Sequence, residues 1–151
     1  MRLQRTDSSH PDFEPLVRIL DSYLAVLDGD EHEFYAQFNK TDKLKHVVIA
    51  FEDDVAVGCG AIRPLDHSMM EIKRMYVVEN SRGKGIGAAI LKELEEWATS
   101  LGYHVCVLET GKRQPDAIAL YQKEGYARIE NYGQYKGMDN SVCFRKELGK
   151  K

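Results

Sequence analysis

Apolar positions in this chain recur first at helical and then at strand spacing. Leu3 to Thr6 fits a short first strand. Behind Pro11, the residues Phe13, Leu16, Val17, Leu20, Leu24 and Leu27 recur at steps of three and four and predict a helix ending near Asp28-Gly29. A short acidic helix is expected from Glu31 to Phe38. His46 to Phe51, Val55 to Ile62 and Met69 to Val78 then read as three strands, separated by Asp53-Asp54 and by Pro64-Leu65-Asp66. Links this short imply antiparallel neighbours.

The period changes again at residue 86. Ile86, Ile90, Leu94, Trp97 and Leu101 share one helical face, and Gly102 suits a left-handed stop. Val105 to Leu108 reads as a buried strand. A further helix starts at Pro115, behind Gln114, and closes at Gly125. Tyr126 to Ile129 and Ser141 to Phe144 read as two last strands around a polar loop. The strand–helix–strand run from Met69 to Leu108 needs a right-handed crossover, hence one parallel pair. The expected class is α/β (α+β), with a mixed, mostly antiparallel sheet and helices on it.

A length of 151 residues fits one domain, 1–151. With 43% hydrophobic and 30% charged residues the composition is globular. The net charge of −3 argues against a general nucleic-acid binder. The longest apolar run, Val47 to Phe51, is far short of the roughly 20 residues that span a bilayer. The first ten residues hold no apolar segment of a secretory signal. Cys59, Cys106 and Cys143 are scattered in apolar stretches, which suits core packing in a reducing compartment, the cytoplasm. Neither they nor the five histidines show metal-ligand spacing, so no metal is expected.

The sharpest chemical feature is Arg82-Gly83-Lys84-Gly85-Ile86-Gly87, between a strand and a helix. Glycines let backbone N–H groups approach a ligand, and a helix N-terminus adds free donors and partial positive charge. Arg82 and Lys84 add full charges. The arrangement suits a phosphate or pyrophosphate. Gly83, Gly85 and Ala88 also satisfy the dinucleotide pattern G-x-G-x-x-[GA], with Glu109 at the end of the next strand, so a nucleotide-dependent oxidoreductase is one alternative. Against it, Glu79 to Arg82 separate the strand from the first glycine, and an antiparallel meander precedes it.

Arg82, Gly85 and Gly87 also form R-x-x-G-x-G, which resembles the acetyl-CoA signature of the GNAT superfamily of N-acetyltransferases. Glu71 to Val78 resembles that family's fourth strand. Ala117 to Tyr126 is similar to its second motif, A-x-x-L-Y-x-x-x-G-F. The resemblance implies a sheet splayed between its fourth and fifth strands. It also implies an acetyl-CoA-dependent N-acetyltransferase acting by direct attack of a primary amine in a ternary complex. Pantetheine would pair with the edge of Met75, Tyr76 and Val77. The pyrophosphate would rest on Gly83 to Ala88, including Ile86, and the N–H of about Met75 would polarise the thioester carbonyl. Tyr121 resembles the tyrosine that protonates the departing thiolate. Gln114 stands where the family often has asparagine. Glu71 is similar in placement to a general-base glutamate of the histone acetyltransferase branch, and Glu109 is the second candidate. Glu71 also reads as a charge partner for Lys73 or Arg74.

The resemblance implies a small-molecule or peptide amine as acceptor and leaves room for a homodimer. A non-catalytic acyl-CoA-binding module is a further alternative. Asp28, Asp30, Glu31 and Glu33 form an acidic cluster suited to steering a cationic amine or to plain solvation. The loop from Asn131 to Asn140 is rich in aromatic and amide groups that suit an acceptor pocket or a simple hairpin loop.

Overall fold

The computed structural model describes residues 1–36 and 43–149. Among the described residues, seven strands form one sheet in the order β1-β2-β3-β4-β5-β7-β6. They are β1 (Arg2–Thr6), β2 (His46–Glu52), β3 (Val55–Pro64), β4 (Met69–Val77), β5 (Val105–Gly111), β6 (Ala127–Ile129) and β7 (Ser141–Glu147). The helices are α1 (Phe13–Asp28), α2 (His32–Ala36), α3 (Ile86–Ser100) and α4 (Pro115–Lys123).

The sheet is mixed, as the class expectation has it. All neighbours are antiparallel except β4 and β5. Several boundaries differ from the sequence reading; β3, for one, runs through Pro64. The acidic helix begins with a single 3₁₀ turn over Gly29–Glu31, and α2 follows it; Gln37 and Phe38 lie outside the described residues. β5 and β7 run about one turn's worth of chain further, through polar Glu109-Thr110 and Arg145-Lys146, because their mutual ladder pairs every residue from Val105↔Glu147 to Gly111↔Ser141. Cross-strand pairing, not apolar pattern, sets those ends.

Helix α3 lays Ile86, Ile90, Leu91, Leu94 and Ala98 on one face of the sheet against Val48, Ile62, Met70, Ile72 and Leu108. Tyr121 of α4 joins this layer. On the other face, Phe13, Leu16 and Val17 of α1 cover Val47, Ile49, Phe51, Cys59 and Ala61. Gly60 permits the close approach of α3. A Cβ there would lie 2.6 Å from the Met75 sulfur and 2.9 Å from Ile90 and Leu94 side-chain carbons. All three cysteines are buried free thiols, consistent with their reading as core residues.

Two features of β4 open the sheet. Its ladder with β5 holds only Met69↔Val105, Met70↔Cys106 and Glu71↔Val107. Beyond them β4 continues to Val77 beside β3, while β5 continues to Gly111 beside β7, so the strands part. The second feature is a bulge. The β3–β4 register steps from Cys59↔Tyr76 to Ala61↔Lys73, which leaves Gly60 opposite both Arg74 and Met75. Arg74 takes a left-handed φ of 57°. A bulge bends its strand and increases the local twist. Here it lies at the parting of β4 from β5, where a cleft opens.

Candidate active site

One arm of the opening runs along the second half of β4 to the start of α3. Its walls include Met75, Tyr76, Val77, Arg82, Gly83, Gly85, Ile86, Gly87, Ala88 and Gln114. Tyr76 and Val77 pair with Cys59 and Gly58 on the β3 side, so their other edge faces the opening. The chain then turns through Gly83 at φ 79° and Gly85 at φ 82°. These angles favour glycine. Side chains at these two positions would meet nothing within 4 Å, so the backbone is open to a ligand. The first bond of α3 runs from Ala89 N–H to the Gly85 carbonyl, 3.0 Å away. The N–H groups of Ile86, Gly87 and Ala88 therefore lack intrahelical acceptors. Among the described residues no side chain caps them.

These residues fit a pyrophosphate with an extended amide arm attached, which is what acetyl-CoA carries. The donors are free, the helix end is partially positive, and a strand edge lies beside it. Arg82 sits at the turn. Its Nε donates to the Val77 carbonyl at 2.8 Å, and its guanidinium lies 5.4 Å from the Tyr76 ring and 5.6 Å from the Tyr23 ring. Lys84 stands apart from the groove wall, 3.6 Å from Glu52.

The second arm is a polar cleft between the parted strands, roofed by α1 and α4. Glu71, Lys73, Arg74, Glu109, Asp28 and Asn140 are among its walls. Met75, Gln114, Ala117 and Tyr121 line both arms, so the two meet there. Tyr121 is buried, its ring 5.9 Å from Tyr126 and 6.2 Å from Phe144. Burial, and then the nearby Glu109 carboxylate, push its hydroxyl above the ordinary phenol range. It stays protonated at neutral pH.

The two candidate carboxylates have different surroundings. Glu71 is 1% exposed, and both of its oxygens are engaged. Arg63 Nε donates to Oε1 at 3.0 Å and the Tyr132 hydroxyl donates to Oε2 at 2.6 Å. Arg63 of β3 is thus an ion-pair partner of Glu71, and the Glu71 charge also acts on Lys73. Glu109 stands on β5 across the opening. Burial pushes its carboxyl up from 4.5 to about 7, while hydrogen bonding to Ser141 and the charge of Lys73 oppose the shift. Lys73 is itself buried, and burial lowers its pKa.

Of the acidic cluster, Asp28 is buried and Glu31 half-buried. Asp28 lies at the end of α1 with its carboxyl pKa raised by burial, and His32 lies 3.8 Å away. Asp30 and Glu33 are exposed. The loop after β6 closes one side of the cleft. Asn131 Nδ2 donates to the carbonyls of Tyr135 and Met138, Tyr135 is buried, and Asn140 reaches the cleft wall. Sequence reasoning gave Arg74 no place in the site. The signal was present in Glu71-Ile72-Lys73-Arg74, a crowd of charges inside an otherwise apolar strand.

Residues 13–126 match the family described as acetyltransferase (GNAT) family. An IAA acetyltransferase of Azospirillum brasilense is 34% identical over 135 residues, covering 88% of each chain. A Klebsiella pneumoniae structure described as an acyl-CoA N-acyltransferase superimposes with a TM-score of 0.83 at 28% identity, over 98% of this chain and 97% of the other. A GNAT family acetyltransferase from Elizabethkingia anophelis, solved with acetyl-CoA bound, shares the fold with a TM-score of 0.70 at 21% identity, over 97% of each chain. The fold and the divided site define an acyltransferase of the splayed-sheet kind. The chain belongs to the GNAT acetyltransferase family.

Proposed function

We propose that the protein is an acetyl-CoA-dependent N-acetyltransferase that passes an acetyl group directly to a primary amine while both substrates are bound. The observation that carries this reading is the meeting of the two arms at Met75 and Tyr121, at the parting of β4 and β5. When bound, acetyl-CoA supplies an acetyl group activated as a thioester. The chain's own residues do the rest. Gly83 to Ala88 receive phosphate oxygens, with Arg82 swinging from the Val77 carbonyl to add charge. The edge of Met75, Tyr76 and Val77 orients the pantetheine arm, and Gln114 borders it.

The Met75 N–H, displaced from regular pairing by the bulge, stabilises charge on the carbonyl oxygen. Glu109 takes the proton of the attacking amine, directly or through water. A carboxylate titrating near 7 is better matched to that task than an ordinary one. Tyr121 gives its proton to the departing sulfur. Glu71, held by Arg63 and Tyr132, positions the β6–β7 loop against β4 rather than moving a proton. Direct transfer needs no nucleophilic cysteine, and Cys143 is buried with its thiol pushed up to about 11. We place the enzyme in the cytoplasm, in keeping with its reduced thiols.

Thermal-shift scans with CoA, acetyl-CoA, NAD and ATP, paired with thiol release across an amine panel, test the reading. We expect a shift with the CoA species, and thiol release that depends on an amine. A shift with NAD and none with CoA would overturn it. CoA binding without turnover on any amine would leave a binding module instead.

A further inference from the structure

Arg74 is an unusual residue for the middle of a sheet. Its backbone is left-handed at φ 57°, a strained conformation for a non-glycine residue that tends to occur at functional sites. Its side chain is 1% exposed and forms an ion pair with Asp21 of α1, which is half exposed. That pair engages Nη2. Its Nε is buried with no hydrogen-bond partner among the described residues. An unpaired buried donor on a cation is expensive, and a native structure that keeps one needs a reason. The residue lines the polar cleft next to Lys73, whose charged form burial disfavours. The unpaired Arg74 nitrogen would gain from an anion.

The opposite walls carry the other sign. Glu109 on β5 and Asp28 at the end of α1 face the same space, and both have carboxyl groups destabilised as anions by burial. A ligand with a cationic and an anionic group side by side matches both walls. Three carboxyl groups around one cleft, Asp28, Glu71 and Glu109, oppose a dianion such as phosphate. A single-charged carboxylate fits better.

We propose that the acceptor is an amine with a carboxylate beside it, of the α-amino acid class, and that Arg74 and Lys73 receive the carboxylate while Glu109 and Asp28 face the amine. This rests on the transferase reading above. Arg74 is then a specificity residue. In the absence of acceptor its Nε is held ready by the Asp21 pair and the bulge.

The test compares three sets of acceptors at saturating acetyl-CoA, with thiol release as the readout. They are the L-α-amino acids, their carboxamides, and the matching amines that lack the carboxyl group. We expect kcat/KM for the best acid to exceed that of its amide and its amine by about tenfold or more, the size of one charge-assisted contact. In Arg74→Gln that preference should shrink by a similar factor, mainly through KM of the acid, while the CoA thermal shift persists. Should Arg74→Gln fail to fold, Arg74→Gly relieves the positive φ and makes the same comparison. Equal use of acids and amides by the wild type overturns the proposal and leaves the transferase intact. So does an unchanged preference in either variant, which would mean that a water satisfies Nε. No turnover of any amine removes the transferase reading and this one with it.

Discussion

Glu71 and Glu109 both project toward the opening, yet their partners divide them. Both oxygens of Glu71 are already taken, Oε1 by Arg63 and Oε2 by Tyr132, so neither is turned to an incoming amine. Glu109 has the opposite character, with burial keeping it protonated up to about 7. As the base it must be ionised, so kcat/KM should rise with pH through about 7 and level off above it. Glu109→Gln should lower kcat/KM by roughly 10²–10⁴ and erase that limb. Stability should move the other way. Below about 4.5 the folded and unfolded states are protonated alike, and between 4.5 and 7 only the folded state holds the proton. The wild type therefore loses stability as pH rises through that window, and Glu109→Gln should melt higher than wild type at pH 8. Glu71→Gln should instead melt lower, keep the CoA shift, and lose far less activity than the Glu109 variant. Reversed effects on rate would make Glu71 the base. For Tyr121, Phe keeps the packing on Tyr126 and Phe144 and deletes the donor. We expect normal folding and a fall in kcat of about 10²-fold when proton transfer limits the rate. Full turnover from pH 6 to 9 would leave water or the incoming ammonium as donor.

The working elements are the bulged strand and the helix that follows it. β4 pairs with β5 as far as Glu71 and regularly with β3 as far as Lys73, then bulges and continues to Val77 with its β5-side edge free, and α3 begins one glycine turn later. That order places amide donors, strand edge and helix end in a row. Gly85 is the hinge of the row. Valine there must adopt φ near 82°, which costs about 1–2 kcal/mol for an L-residue. It would also set a branched side chain over the free N–H groups. Gly85→Val should fold with a lowered Tm and show no CoA shift. Wild-type CoA affinity in the folded variant would refute the phosphate cradle. The sequence reading located this row because its signals are local: glycines, a helix start and an apolar strand within twenty residues. It did not locate the bulge. That depends on how Gly60 of β3 faces two residues of β4, a pairing between segments that no single window of sequence contains.

At the scale of the whole molecule, the sheet consists of two ladders joined by three residue pairs between β4 and β5. A ligand seated in the opening touches β4 and α3 on one side and α4 on the other. It should tie the halves together. CoA should slow amide exchange along Tyr76 to Ala88 and around Gln114 to Tyr121, with little change in β1 and β2. Uniform protection across the sheet would argue against binding at the seam. The sequence by itself determined the order of elements, the antiparallel meander, the single parallel crossover, the buried thiols, the glycine turn ahead of α3 and the inward Tyr121. Each follows from hydrophobic period, turn chemistry or motif spacing over short stretches. Tertiary structure alone decided how the surroundings of the two carboxylates differ. It set Arg63 and Tyr132 against Glu71, buried Glu109 across the gap, turned Asp28 inward, and left Arg74 strained with an unpaired nitrogen. The charge state of a carboxyl, and the pairing of a guanidinium, depend on which distant groups surround them and how much water those exclude. Those neighbours come from β3, β5, α1 and the β6–β7 loop, brought together only when the sheet closes around its opening.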